Sequence, residues 1–331
     1  MTDGYGREID YLRISLTDKC NLRCSYCMPR EGIRHIEHGD ILTLEETGRL
    51  ARIMAELGIR RVRLTGGEPL VRRGITDLIK ILREECGFNE ISMTSNGVLL
   101  ADMAEGLYDV GLTDINISLD TLREDCFSYI TGCDGKELRQ ALNGIDSALE
   151  AGLRVKLNCV PMRGINEEDI IPLTEYSADK GVSIRFIELM PIGCAGSFER
   201  ISTDELIRRL EDRYGASTPV QCSMKADDRG PAEYYTFQEY RGQIGFISPI
   251  SHKFCDRCRR IRLTAEGFLK LCLQYPAGVD LKLPLRNGAK DEELKKLILD
   301  AVRVKPAAHS FDSSRDSCDG TDKRRMVEIG G

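Results

Sequence analysis

The chain has 331 residues, 41% hydrophobic and 30% charged, with a formal net charge of −6. That length buries a sizeable core in one or two domains, and the acidic balance excludes a globally basic nucleic-acid binder while leaving room for a local basic pocket. Met1 to Asp10 is polar and no apolar run approaches membrane-spanning length, so a cytoplasmic location is expected.

Short β-rich runs alternate with amphipathic helical stretches over the first two thirds of the chain. The expected strands are Tyr11–Thr17, Arg61–Thr65, Glu90–Ser95, Asp114–Leu119, Arg154–Val160 and Val182–Leu189. Thr43 with Glu46 makes a capping-box pattern before an apolar run ending at Gly58. Asn166, followed by Glu168 and Asp169, reads as a second helix start, and Ser202-x-x-Glu205 as a third. Leu138–Ala151 closes on Gly152, a C′ glycine. Strands alternating with helices imply parallel pairing with right-handed crossovers. The span is short for a closed eight-fold barrel, so an incomplete (β/α)6 TIM-like barrel is expected over residues 1–215. A doubly wound open sheet is the structural rival, and periodicity does not separate the two.

Residues 216–331 read differently. Ala232–Tyr240, Gln243–Ile247, Arg260–Thr264 and Phe268–Leu273 look like short antiparallel strands, with Ala265-Glu266-Gly267 as a hairpin turn. A helix at Asp291–Val302 follows, then a Ser/Asp-rich stretch, Ser310–Asp322, without apolar period.

Thirteen cysteines, an odd number, point to thiols in a reducing compartment, used as metal ligands and as ordinary core residues. Cys20-x3-Cys24-x2-Cys27 follows the first strand directly, with no fourth cysteine nearby. Three thiolates on a four-iron cluster leave one iron open. The competing reading is a zinc knuckle completed by His35 or His38. A Gly66-Gly67-Glu68-Pro69 turn after the second strand exposes backbone groups to a ligand. Cys255-x2-Cys258-x13-Cys272 repeats the three-thiol arithmetic, with zinc on these cysteines plus His252 as the alternative. Arg260 and Arg262 alternate on one strand face, where both can meet one anion. Arginine outnumbers lysine roughly two to one, which suits a phosphate or carboxylate ligand.

The first triplet with the Gly-Gly-Glu-Pro turn resembles the radical S-adenosylmethionine superfamily. Both triplets in order, the arginine run and the terminal Gly330-Gly331 resemble, over essentially the whole chain, the GTP 3′,8-cyclase family of molybdenum cofactor biosynthesis. That resemblance implies a lyase with two [4Fe-4S] clusters and S-adenosyl-L-methionine, converting GTP to (8S)-3′,8-cyclo-7,8-dihydroguanosine 5′-triphosphate. It implies cluster ligation by the six cysteines, with Tyr26, Gly67, Ser118 and Met190 as cofactor contacts. Arg185 would pair with the methionine carboxylate. Arg13, Arg63, Thr94, Lys156 and the Arg260–Ile261–Arg262 run fall on substrate contacts, and Gly330 and Gly331 on an activating role. The implied partners are an electron donor, cyclic pyranopterin monophosphate synthase downstream, and a second copy of the chain. The rival readings are a radical peptide-modifying maturase and a non-catalytic zinc-stabilised binding module. Cys159, in an apolar strand, reads as core; Cys86, Cys126, Cys133, Cys194, Cys222 and Cys318 have no assigned use.

Overall fold

Six runs of alternating side chains form the parallel strands β1 (Tyr11–Ser15), β2 (Arg61–Thr65), β3 (Glu90–Ser95), β4 (Asp114–Ser118), β5 (Arg154–Cys159) and β6 (Ser183–Ile187). They lie close to their expected bounds and pair in chain order in a computed structural model that describes residues 1–220, 230–311, 322 and 324–330. Leu12, Val62 and Ile91 stand in register, as do Ile14, Leu64 and Met93, and all six are buried. This aliphatic face meets the helices, so the alternate residues Arg13 and Arg63, also in register, face the other way.

The helices α1 (Leu44–Glu56), α2 (Ile75–Lys80, running on as a π turn to Glu85), α3 (Ala104–Asp109), α4 (Glu124–Thr131), α5 (Lys136–Glu150) and α6 (Ile170–Asp179) separate these strands, and α7 (Thr203–Tyr214) follows β6. The capping box of α1 is present: Glu46 N–H donates to Thr43 Oγ1 at 3.1 Å and Thr43 N–H to Glu46 Oε2 at 2.8 Å. Ser202 Oγ likewise accepts from Glu205 N–H at 3.3 Å. Asn166 does not cap. It is fully buried, and its Nδ2 donates to the carbonyls of Asp120 (2.8 Å) and Val160 (3.1 Å), which have left the β4 and β5 ladders and need donors.

The C-terminal strands are β7 (Ser217–Pro219), β8 (Glu233–Phe237), β9 (Ile244–Ile247), β10 (Arg260–Leu263), β11 (Phe268–Lys270) and β12 (Gly278–Asp280). The expected hairpins form: β7, β8 and β9 pair antiparallel, as do β10, β11 and β12, with Gly267 at φ +82° in the turn. Each hairpin also joins the barrel through a parallel strand, β9 beside β6 and β10 beside β1. One sheet of twelve strands results, in the order β12-β11-β10-β1-β2-β3-β4-β5-β6-β9-β8-β7, and its two ends do not pair. The C-terminal part therefore prolongs both edges of the partial barrel. After β12 come α8 (Lys282–Arg286), α9 (Asp291–Arg303) and a short α10 (Met326–Ile329).

Gly144 lets α5 sit on the turn after β3: a Cβ there would fall 2.3 Å from the Gly97 carbonyl oxygen. Gly106, in α3, is exposed, with open space where a methyl group would stand. Gly144→Ala is expected to lower stability by ~1–3 kcal/mol through overpacking, and Gly106→Ala to raise it by up to ~1 kcal/mol. Chemical denaturation of the two variants checks the contrast.

Candidate functional site

A cavity of about 600 Å³ opens on the face of the sheet opposite the aliphatic rows, and all six cysteines of the two triplets line it. Topology brings them together, because β1, which leads into Cys20, pairs with β10, which follows Cys258. All six are free thiols.

Cys20, Cys24 and Cys27 lie on one loop, folded tightly enough that Cys27 N–H donates to the Cys24 carbonyl at 2.8 Å. Gly66 and Gly67 brace this loop. Gly67 N–H donates to Thr17 O at 2.6 Å and Glu68 N–H to Lys19 O at 2.8 Å, and a Cβ on Gly67 would meet Lys19 O at 2.3 Å. The Gly67 and Glu68 N–H groups are thus spent inside the fold, not on a ligand. Glu68 is held in turn by Ser95 Oγ (2.8 Å) and Asn96 N–H (2.8 Å), while burial pushes its carboxyl up to about 7. Burial likewise pushes the Cys20 thiol up to about 11 and the Cys27 thiol up to about 12. Ligation therefore has to supply the positive charge that deprotonates them. The Cys20 sulfur accepts from Leu22 N–H (3.4 Å) and Asn96 Nδ2 (3.8 Å), and Cys27 from Val327 N–H. Three thiols on one side of a cavity, two of them already receiving N–H donors, fit an iron–sulfur cluster.

The second triplet is set among cations. Burial pushes the Cys258 thiol up, but Arg260 and Lys305 more than offset this and hold it at about 7. Arg7 Nη1 fixes the Cys255 carbonyl at 2.7 Å. These donors also fit a cluster. His252, the alternative zinc ligand, pairs instead with Asp204 Oδ1 at 2.9 Å, and His35 with Asp18 Oδ2 at 2.9 Å. Among the described residues no three His, Cys, Asp or Glu side chains are gathered around one point to hold a single metal ion.

Between the triplets runs a row of guanidinium groups. Arg262, Arg13 and Arg63 are in register on β10, β1 and β2; Arg262 is buried and Arg13 partly so. Burial, then the neighbouring Arg260, brings Arg262 down to about 10, and burial with Arg262 lowers Arg13. The buried Nε of Arg63 has no hydrogen-bond partner among the described residues. Arg260, Lys156 and Thr94 line the same cavity. Such a row calls for a multiply charged anion. Ile261 faces the core, fully buried, so only its main chain is on offer.

Of the expected cofactor contacts, Tyr26, Gly67, Ser118, Met190 and Arg185 all line the cavity. Tyr26 OH donates to Asp120 Oδ2 at 2.8 Å, and Arg185 Nε to Asn158 Oδ1 at 3.0 Å. Gly330 reaches the site by the tail: its carbonyl accepts from Arg262 Nη1 at 2.6 Å, and its α-carbon packs on Ser15 and Thr65. Gly331 lies outside the described residues, as do Cys222, Cys318 and nearly all of the Ser/Asp-rich stretch. Cys159 is fully buried in the core, as expected, and Cys126 is buried beneath Ile130 and Met162.

Four site residues escaped sequence reasoning. Asn96 follows β3 directly and Asp120 stands two residues past β4, and position at a barrel strand's C-terminal end could have flagged them. Tyr11, ringed by Arg63, Arg13 and Arg260, and Lys305, beside Cys258, carry no local signal.

Residues 14–176 match the family described as Radical SAM superfamily, and residues 182–311 that described as Molybdenum Cofactor Synthesis C. A GTP 3′,8-cyclase of Pelotomaculum thermopropionicum is 43% identical over 336 aligned residues, covering 100% of each chain. One of Clostridium perfringens is 43% identical over 331 residues, again covering 100% of both. Among solved structures, Streptococcus suis SuiB bound to precursor peptide SuiA shares the fold at 16% identity and a TM-score of 0.58, over 97% of this chain and 71% of that one. Among the described residues no helix is long and apolar enough to cross a membrane. With relatives this similar over its full length, the chain belongs to the GTP 3′,8-cyclase family of radical S-adenosylmethionine enzymes.

Proposed function

We propose that this enzyme cyclises GTP between ribose C3′ and guanine C8 in molybdenum cofactor biosynthesis, with each task assigned to named residues. One observation carries the reading: two cysteine triplets and a row of cations surround a single cavity. When bound, the two [4Fe-4S] clusters and S-adenosylmethionine supply a carbon-centred radical at one end and an open iron for the purine at the other.

The chain's own groups do the rest. Cys20, Cys24 and Cys27 hold the first cluster; Cys255, Cys258 and Cys272 hold the second. Tyr26, fixed by Asp120, orients S-adenosylmethionine together with Gly67, Ser118, Met190 and Arg185. Arg13, Arg63, Lys156, Arg260 and Arg262 neutralise the triphosphate, Thr94 and the main chain at Ile261 complete the substrate contacts, and the distance between ribose and radical source is set by where the phosphates stop. The Gly330 carbonyl, accepting from Arg262, holds the tail at the cavity, and the Gly330-Gly331 end supports the radical step. Residues 1–215 thus generate the radical and 216–331 supply the second cluster, the arginine pair and the tail. A cytoplasmic location, an external electron donor, a homodimer and transfer of product to cyclic pyranopterin monophosphate synthase complete the proposal.

Cys24→Ala is expected to abolish reductive cleavage of S-adenosylmethionine, whereas Cys258→Ala keeps some cleavage and eliminates cyclisation. Anaerobic product analysis with iron counting reads both, and full parental iron in both variants would refute the two-cluster assignment. Arg262→Ala is expected to weaken GTP binding about tenfold, the loss of one charge-assisted bond to phosphate. Calorimetry at equal cluster content measures it, and parental affinity would remove Arg262 from the substrate site. Deleting Gly330 and Gly331 should leave both clusters and GTP affinity in place while cyclisation falls roughly a hundredfold, as misplacement of reacting groups does. A truncated enzyme turning over GTP at the parental rate would show the tail to be dispensable.

A further inference from the structure

Lys305 follows α9 and is 2% exposed, yet its side chain lines the cavity beside the second triplet. Its Nζ donates to the carbonyl of Arg260, two residues after Cys258, at 3.0 Å and to that of Leu271, just before Cys272. Arg7 fixes the segment in place, donating to the carbonyls of Pro306 (2.6 Å), Ala307 (2.7 Å) and Cys255 (2.7 Å). The charge on Arg7 is met by Asp3 at 2.6 Å. Among the described residues no carboxylate pairs with Lys305: the charged groups acting most on it are the thiols of Cys258 and Cys272 and the guanidinium groups of Arg7 and Arg260. A buried ammonium needs a counter-charge, and here the ligand sulfurs are the source.

The first triplet stands in the opposite field. Glu68 lies beside Cys20 and Asp120 beside Cys24, and Arg23 is the cation acting most on Cys20. Reduction adds a negative charge to a cluster, so a nearby fixed cation raises its potential and nearby carboxylates lower it.

We propose that Lys305 is a positioning cation of the second cluster, bridging its two ligand segments and setting its reduction potential above that of the radical-generating cluster. This rests on the two-cluster reading above. The low-potential cluster suits reductive cleavage of a sulfonium; the second, beside Lys305, holds its electron more firmly.

The test is an anaerobic redox titration followed by electron paramagnetic resonance, in a Cys24→Ala background where the second cluster alone gives the signal. Lys305→Met is expected to shift the midpoint negative, lowering the reduced-to-oxidised ratio at a fixed potential at least tenfold, about 59 mV for a one-electron couple. Lys305→Arg, which keeps the charge, should stay near the parent. Should Lys305→Met fail to fold, Lys305→Gln retains a donor to the carbonyls without the charge and should give the same negative shift. An unchanged midpoint in an uncharged variant of full iron content overturns the proposal, as does an equal shift in Lys305→Arg. A Cys24→Ala protein with no remaining cluster overturns the two-cluster reading itself, and is distinguishable because it precedes any change at position 305.

Discussion

The crowding of guanidinium groups on one face of the sheet is the constraint around which this protein is organised. Arg262, Arg13 and Arg63 stand in register on adjacent strands, and the groups acting most on Arg13 are other arginines and the phenol of Tyr11. Like charges a strand apart repel, and burial strengthens the repulsion. The aliphatic rows of β1 to β4 hold the backbone fixed against that repulsion, and on the proposed reading the triphosphate of GTP brings negative charge to the row.

The same sheet explains why one cavity serves two clusters. A six-stranded partial barrel has two open edges, and open edges invite association. Here β10 covers one and β9 the other, each continued by an antiparallel hairpin. Covering the β1 edge with β10 also places Cys255 and Cys258 across from Cys20, so a device that protects an edge builds the second half of the site. Glu188 reinforces the arrangement at the other edge, its buried carboxylate accepting from Ile250 N–H (2.9 Å) and Ser251 N–H (2.8 Å) on the approach to Cys255.

The tail links the two ends of this cavity. Lys270, fully buried, pairs with Asp322, and Asp322 N–H donates to the Gln274 carbonyl at 2.7 Å, two residues past Cys272. From there the chain crosses to Cys27 through Val327 N–H and ends at Arg262 through the Gly330 carbonyl. One short segment therefore touches both cysteine loops and Arg262, and its last described residue needs a glycine: φ is +73°, and a Cβ there would collide with Ser15 and Thr65.

What was legible in the sequence was whatever depends on neighbours along the chain. Strand periodicity at Arg61–Thr65, the capping box at Thr43, the turn at Gly267 and the spacing of both cysteine triplets are local, and each stands in the structure where its pattern put it. The six barrel strands followed from such signals, and the six cysteines and the arginine pair, proposed as cluster and substrate residues, were picked out by those signals and by the family they resemble. Asn166 misled because a good cap residue can be claimed by buried carbonyls that no local pattern reveals. The parallel docking of β9 and β10, the cation beside Cys258 and the contact between Val327 and Cys27 were decided only by tertiary structure. Each joins residues far apart in the chain, and pairing at such separation is selected by the burial and charge of the whole sheet, which no short window of sequence contains.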